Sequence, residues 1–183
     1  MHSAWVRWNV VIMHSMMFAA FIVVVTQLTN QYAHSPAVFT PTKAEFGDIQ
    51  VARLKFGPGG RDKLVLMFET ELDLGSLFDW NTKQVFAFVK VSYPTEFGFN
   101  EIVAWDKIFH TREEAQVKGK LLTKYELEDV GKGFYGNGNI TMSLGWDVMP
   151  FIGLVGKHTQ LNTHSPSNKQ FPIPARYGSF LIQ

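Results

Sequence analysis

Residues 10–28, VVIMHSMMFAAFIVVVTQL, constrain this chain more than any other stretch. No side chain there carries a permanent charge, and 15 of the 19 are apolar. A chain in hydrocarbon must satisfy its backbone amides and carbonyls internally, so such a run crosses a membrane as a helix. At about 1.5 Å per residue it spans about 28 Å, close to the ~27 Å core of the thinner cellular bilayers. His14, Ser15 and Gln27 are the polar intrusions. Gln27 lies at the end of the run and His14 about one turn in, where a polar tip can reach an interface.

Flanking charge sets the direction of crossing. Arg7 is the only Lys or Arg before Lys43, and positive charge is retained on the cytosolic side. The expected organisation is a cytosolic 1–9, a membrane helix over 10–28, a linker over 29–44 with two prolines, and a lumenal domain over 45–183. Trp5 and Trp8 suit one membrane interface and Tyr32 the other. The competing reading is a cleaved signal peptide, with Ala33-His34-Ser35 as its small-x-small site. The apolar part of a signal peptide is about 7–15 residues, shorter than this run. Pro36 would also have to follow the cut, with a fixed φ and no N–H. The uncleaved anchor is the stronger reading.

Beyond residue 28 the chain holds sixteen basic and sixteen acidic side chains. A zero net charge excludes nucleic acid as the main partner, because phosphate binding needs a basic surface. Cysteine is absent, which removes disulfides, thiolate metal sites and cysteine nucleophiles. No cofactor is expected.

After the linker the dominant period is two, the signature of half-buried strands. In 63–72, Leu64, Leu66, Phe68 and Leu72 share a face. In 84–93, Val85, Ala87, Val89, Val91 and Tyr93 do the same, and in 101–109 Val103, Trp105 and Phe109. Residues 121–128 alternate more weakly. The clearest case is 139–148, with Ile140, Met142, Leu144, Trp146 and Val148 on one side. Asn139, Thr141, Ser143, Gly145 and Asp147 take the other. A strand is also expected within 45–56, and 73–80 is the one short helical candidate. The prolines of 150–176 leave room only for short edge strands. Five to seven strands with Gly-rich turns predict a mainly β protein: one N-terminal membrane helix and a lumenal antiparallel β-sandwich-like domain.

Candidate chemistry is sparse. Asn139-Ile140-Thr141 is an N-glycosylation sequon on the polar face at a strand start, so Asn139 is the expected modification site. The six histidines (His2, His14, His34, His110, His158 and His164) show no ligand pair at metal-binding spacing. Ser143 has no recognisable base beside it, and Ser165 and His164 point apart as neighbours on an extended chain. No catalytic residue and no metal ligand is therefore predicted. The aromatic-acid groups at 78–81, 105–107 and 146–147 are read as core tryptophans with nearby turn or outer-face acids, rather than as a sugar-binding platform.

Four ordered blocks carry a resemblance: 77–93 (LFDWNTKQVFAFVKVSY), 101–109 (EIVAWDKIF), 124–130 (KYELEDV) and 137–150 (NGNITMSLGWDVMP). With the single N-terminal anchor, they resemble the signal peptidase complex subunit 3 family. Gly145 stands where that pattern has a serine before the tryptophan. The tail resembles it only in Phe171-Pro172-Ile173-Pro174. The resemblance implies a type II protein of the endoplasmic reticulum membrane. It further implies a non-catalytic subunit that packs on a separate catalytic peptidase chain, alongside other small membrane subunits, during signal-peptide removal. The alternative is a membrane-anchored lumenal module that binds glycans or unfolded chains.

Overall fold

The computed structural model describes residues 3–33, 43–95, 98–130, 133–138, 140–153 and 169–180. The apolar run lies within one helix, α1 (Ala4–Ala33), which overruns the expected 10–28 at both ends. Its membrane-compatible part is Ala4–Thr29, about 39 Å at 1.5 Å per residue. The extra turns carry Trp5, Arg7 and Trp8 at one end and Tyr32 at the other. None of these breaks a helix, and an apolarity criterion does not register them. His14 Nδ1 donates to the Val10 carbonyl at 2.7 Å, so a polar group inside the run is satisfied by the preceding turn. The expected linker is thus shortened. Residues 29–33 are helical and 43–44 belong to the first strand.

The rest is β. Strands β1 (Lys43–Gly57) and β2 (Arg61–Asp73) form a long hairpin. Gly59 and Gly60, at φ of 81° and 71°, supply the left-handed turn that side chains with a Cβ disfavour. A single 3-10 turn, Gly75–Leu77, is all that the helical candidate at 73–80 provides. There follow β3 (Thr82–Thr95), β4 (Gly98–Phe109), β5 (Gln116–Leu122), β6 (Leu127–Val130) and β7 (Ile140–Pro150). Two short strands, β8 (Lys169–Phe171) and β9 (Gly178–Ser179), close the count at nine among the described residues.

They build two antiparallel sheets. One has the order β5-β2-β1-β9, with β6 also on β2; the other runs β4-β3-β7-β8. The 121–128 region, expected as one weak strand, divides between β5 and β6, which pair with different parts of β2. The tail strands β8 and β9 take sheet edges, as the prolines require.

One core lies between the sheets. Leu64, Leu66, Phe68 and Leu72 of β2 meet Val85, Ala87, Val89 and Val91 of β3, with Met142, Leu144 and Trp146 of β7. Strand β4 departs from its expected pattern. A bulge between the Trp105 and Val103 pairings inserts Ala104, which turns Ala104 inward and leaves Val103 39% exposed. One extra residue reverses the facing of all that precede it.

Candidate interaction surface

No catalytic grouping assembles among the described residues. Ser143 lies opposite Lys90 in the β3–β7 register. The Lys90 ammonium is committed to Glu101 at 2.7 Å, and the Ser92 hydroxyl donates to the other Glu101 oxygen at 3.5 Å. An ion-paired ammonium donates protons and does not take one from a serine. His110 is exposed just past β4. His2, His34, His158, His164 and Ser165 lie outside the described residues, as does Asn139. Among the described residues no His, Asp or Glu cluster could hold a metal. Trp105 and Trp146 are core side chains as expected, but Trp80 is exposed, which corrects its assignment to the core.

Three of the four sequence blocks supply clamps. Asp79 accepts from the Asn81 amide N–H at 2.9 Å and from the Thr82 hydroxyl at 2.8 Å. The buried Asn81 side chain donates to the Ile152 carbonyl at 2.9 Å and accepts from the Ile152 N–H at 3.1 Å. Asp106, from the Trp105-Asp106-Lys107-Ile108 run, takes the Lys124 ammonium at 3.1 Å and 3.2 Å. The Tyr125 hydroxyl and that ammonium hold the Asp106 carboxyl below the usual carboxylate range. Amides of Lys124 and Tyr125 both donate to the Ala104 carbonyl, so the β5–β6 connection covers the β4 edge at its bulge.

A further clamp was not foreseen. Asp62 is fully buried. Its Oδ2 accepts from the Phe134 and Tyr135 N–H groups at 3.3 Å and 3.1 Å, and its Oδ1 from the Tyr177 hydroxyl at 2.8 Å. One carboxylate thus fixes the loop that leads to Asn139 and the tail that carries Tyr177. An acid on the core face of an alternating strand was the only available sign.

The two outer faces differ in kind. That of the five-stranded sheet is laced with ion pairs: Glu71 with Lys43 and Lys118, Glu128 with Lys63 and Arg61, and Glu126 with Arg53. Such pairs add roughly 0–1 kcal/mol each and describe a solvated surface. The outer face of the four-stranded sheet mixes apolar and acidic side chains: Phe86 lies between Ile108 and Asp147, and Phe88 between Asp106 and Gly145. Phe86 and Phe88 stand with ring centroids 5.5 Å apart. Phe86 pairs with Ile108, and Lys90 with Val103. Ile108 and Val103 are 44% and 39% exposed. Polar groups lie within this strip as well as at its ends: the Lys124–Asp106 and Lys90–Glu101 ion pairs and Asp147 share the face with it. Aromatic and aliphatic side chains set among polar ones match the mixed composition of protein interfaces.

A helix long and apolar enough to cross a membrane and two antiparallel sheets around one core define a β-sandwich with an N-terminal helical anchor. The signal peptidase subunit family model matches residues 1–175, and the chain belongs to that family. It is 38% identical over 102 residues to signal peptidase complex subunit 3 of Gallus gallus, and 37% identical over 102 residues to that of Homo sapiens. Each match covers 54% of this chain and 57% of the relative. The Yarrowia lipolytica protein of the same name is 37% identical over 97 residues, 51% of this chain and 52% of its own. The matched stretches thus span a little over half the length of these relatives.

Proposed function

We propose that the chain is a non-catalytic accessory subunit of the signal peptidase complex in the endoplasmic reticulum membrane. In this reading α1 anchors it, residues beyond the helix lie in the lumen, and Asn139 carries a glycan. The placement of Arg7 before the span, with no Lys or Arg after it until Lys43, supports that orientation. The Phe86–Phe88–Ile108–Val103 strip packs on the catalytic peptidase chain and holds that chain's site in register. Small displacements of a reacting group can cost orders of magnitude in rate, so a support of this kind governs activity without touching substrate.

The observation that carries this reading is the grouping of Phe86 with the exposed Ile108 and Val103 on one outer face of a chain of this family. Its test is Ile108→Asp, with Lys120→Asp on the ion-paired face as control, in complexes purified from detergent. Ile108→Asp should reduce recovery of the peptidase chain and cleavage of a pre-protein, while Lys120→Asp leaves both near normal. Ser143→Ala should leave cleavage intact. Loss of cleavage by Ser143→Ala in an assembled complex would instead place chemistry on this chain.

A further inference from the structure

Three large apolar side chains stand in solvent at one end of the sandwich: Trp80, Phe151 and Ile152, at 68%, 65% and 47% exposure. Their backbones are locked together. The Phe151 N–H donates to the Asn81 carbonyl at 2.8 Å, and both polar ends of the Asn81 side chain bond the Ile152 backbone. The tip is therefore rigid before it meets anything, which lowers the ordering cost of any contact it makes.

Its place in the fold says what it meets. At this end the chain enters β1, where Lys43 pairs with Asp73. Ala33 ends α1 ten residues earlier, a distance no chain can stretch beyond about 35 Å. Gly153, next to Ile152, lines one cleft with Val23, Val24, Gln27 and Leu28 of α1. Those residues form the last turns of a span that closes at Thr29, so the tip sits at the depth where the helix leaves the bilayer.

The side chains suit that depth. Tryptophan, apolar with one N–H, partitions to the headgroup–acyl boundary. Lys83, exposed three residues on, adds a cation that favours anionic headgroups. The acid nearest in the loop, Asp79, is engaged by Asn81 and Thr82. We propose that Trp80, Phe151 and Ile152 insert into the lipid interface of the membrane that α1 crosses. They form a second foothold that fixes how the sandwich stands on the bilayer.

The inference rests on the anchored reading of α1, and the experiment separates the two. The chain has no cysteine, so Phe151→Cys and Ile152→Cys each accept a single environment-sensitive fluorophore. Met17→Cys in α1 and Lys120→Cys on the ion-paired face serve as references. The full chain is reconstituted into phosphatidylcholine–phosphatidylinositol vesicles whose acyl chains carry a spin-label quencher. Both tip labels should lose fluorescence to a degree approaching the Met17 label, with the Lys120 label unaffected. Quenching at Met17 with tip labels behaving like Lys120 overturns the proposal and leaves the anchor standing. No quenching at Met17 overturns both. In native complexes, crosslinking of a photoreactive group at Ile152→Cys to the peptidase chain rather than to lipid would also overturn it.

Discussion

The ring of Phe88 lies across Gly145, its register partner on β7. A Cβ at 145 would stand 2.5 Å from both Cε2 and Cζ of that ring. The missing side chain lets an outer-face phenylalanine fold down until it is only 8% exposed. Gly145→Ser, which restores the residue the family pattern leads one to expect, should cost about 1–3 kcal/mol by overpacking. The cost should shrink in a Phe88→Leu background. A double-mutant cycle from thermal unfolding of the full chain in detergent measures the coupling; strict additivity would mean that the ring swings away freely.

Tyr177 and Tyr93 give the fold an alkaline limit. Burial, joined for Tyr177 by its hydrogen bond to Asp62, pushes that phenol up to about 12 from 10.0. Burial and then the charge of Asp129 push Tyr93 up to about 12 as well. Both groups are held neutral in the folded state. Their contribution is complete below pH 10 and is lost as pH rises towards 12, because the unfolded chain releases its protons first. Unfolding free energy should fall across that window, and Tyr177→Phe should flatten part of the slope. A slope unchanged in Tyr177→Phe would assign the loss to other groups.

Trp146 sits on the core side of β7 and Asp147 is half-buried on the outer side, opposite Phe86. Trp146→Ala should cost about 3–5 kcal/mol, and Asp147→Ala should cost less. Equal losses from the two would mean that β7 is buried on both sides.

Asn139 precedes β7, whose first residue, Ile140, is buried, and as the asparagine of a sequon it is the expected modification site. N-glycosidase treatment of the protein from its native membrane should shift its mobility by one glycan, and Asn139→Gln should abolish the shift. An unchanged mobility in the wild-type chain would remove Asn139 as a modification site.

The helix and most strands were legible because each declares itself by a local period: unbroken apolarity for α1, alternation for β2, β3 and β7. The alternation of β4 misled because the bulge at Ala104 is set by pairing with β3, and a one-residue insertion leaves no mark in the sequence. The division of 121–128 was hidden for a related reason: β5 and β6 are both short, and their partner, β2, lies more than forty residues away. The expectation of no catalytic residue could be drawn from missing spacings. The Asp62 clamp and the apolar strip could not, since each joins residues from elements distant in sequence. Trp80 shows the limit most plainly: a tryptophan beside an acid reads as a core residue with a turn, yet it is exposed, beside an Asn81 that is locked to Ile152 across the fold.

The short connection between α1 and β1 has a thermodynamic side. A domain tied within about 35 Å of its helix end searches a thin layer above the bilayer rather than a volume. In the proposed complex, a partner rooted in the same membrane would meet the Phe86–Ile108 strip at an effective concentration that reaches the millimolar range for short tethers. In that complex a strip that is small and half polar would stay occupied because the tether keeps its partner near. Severing residues 34–42, with every contact side chain intact, should release the sandwich from its complex.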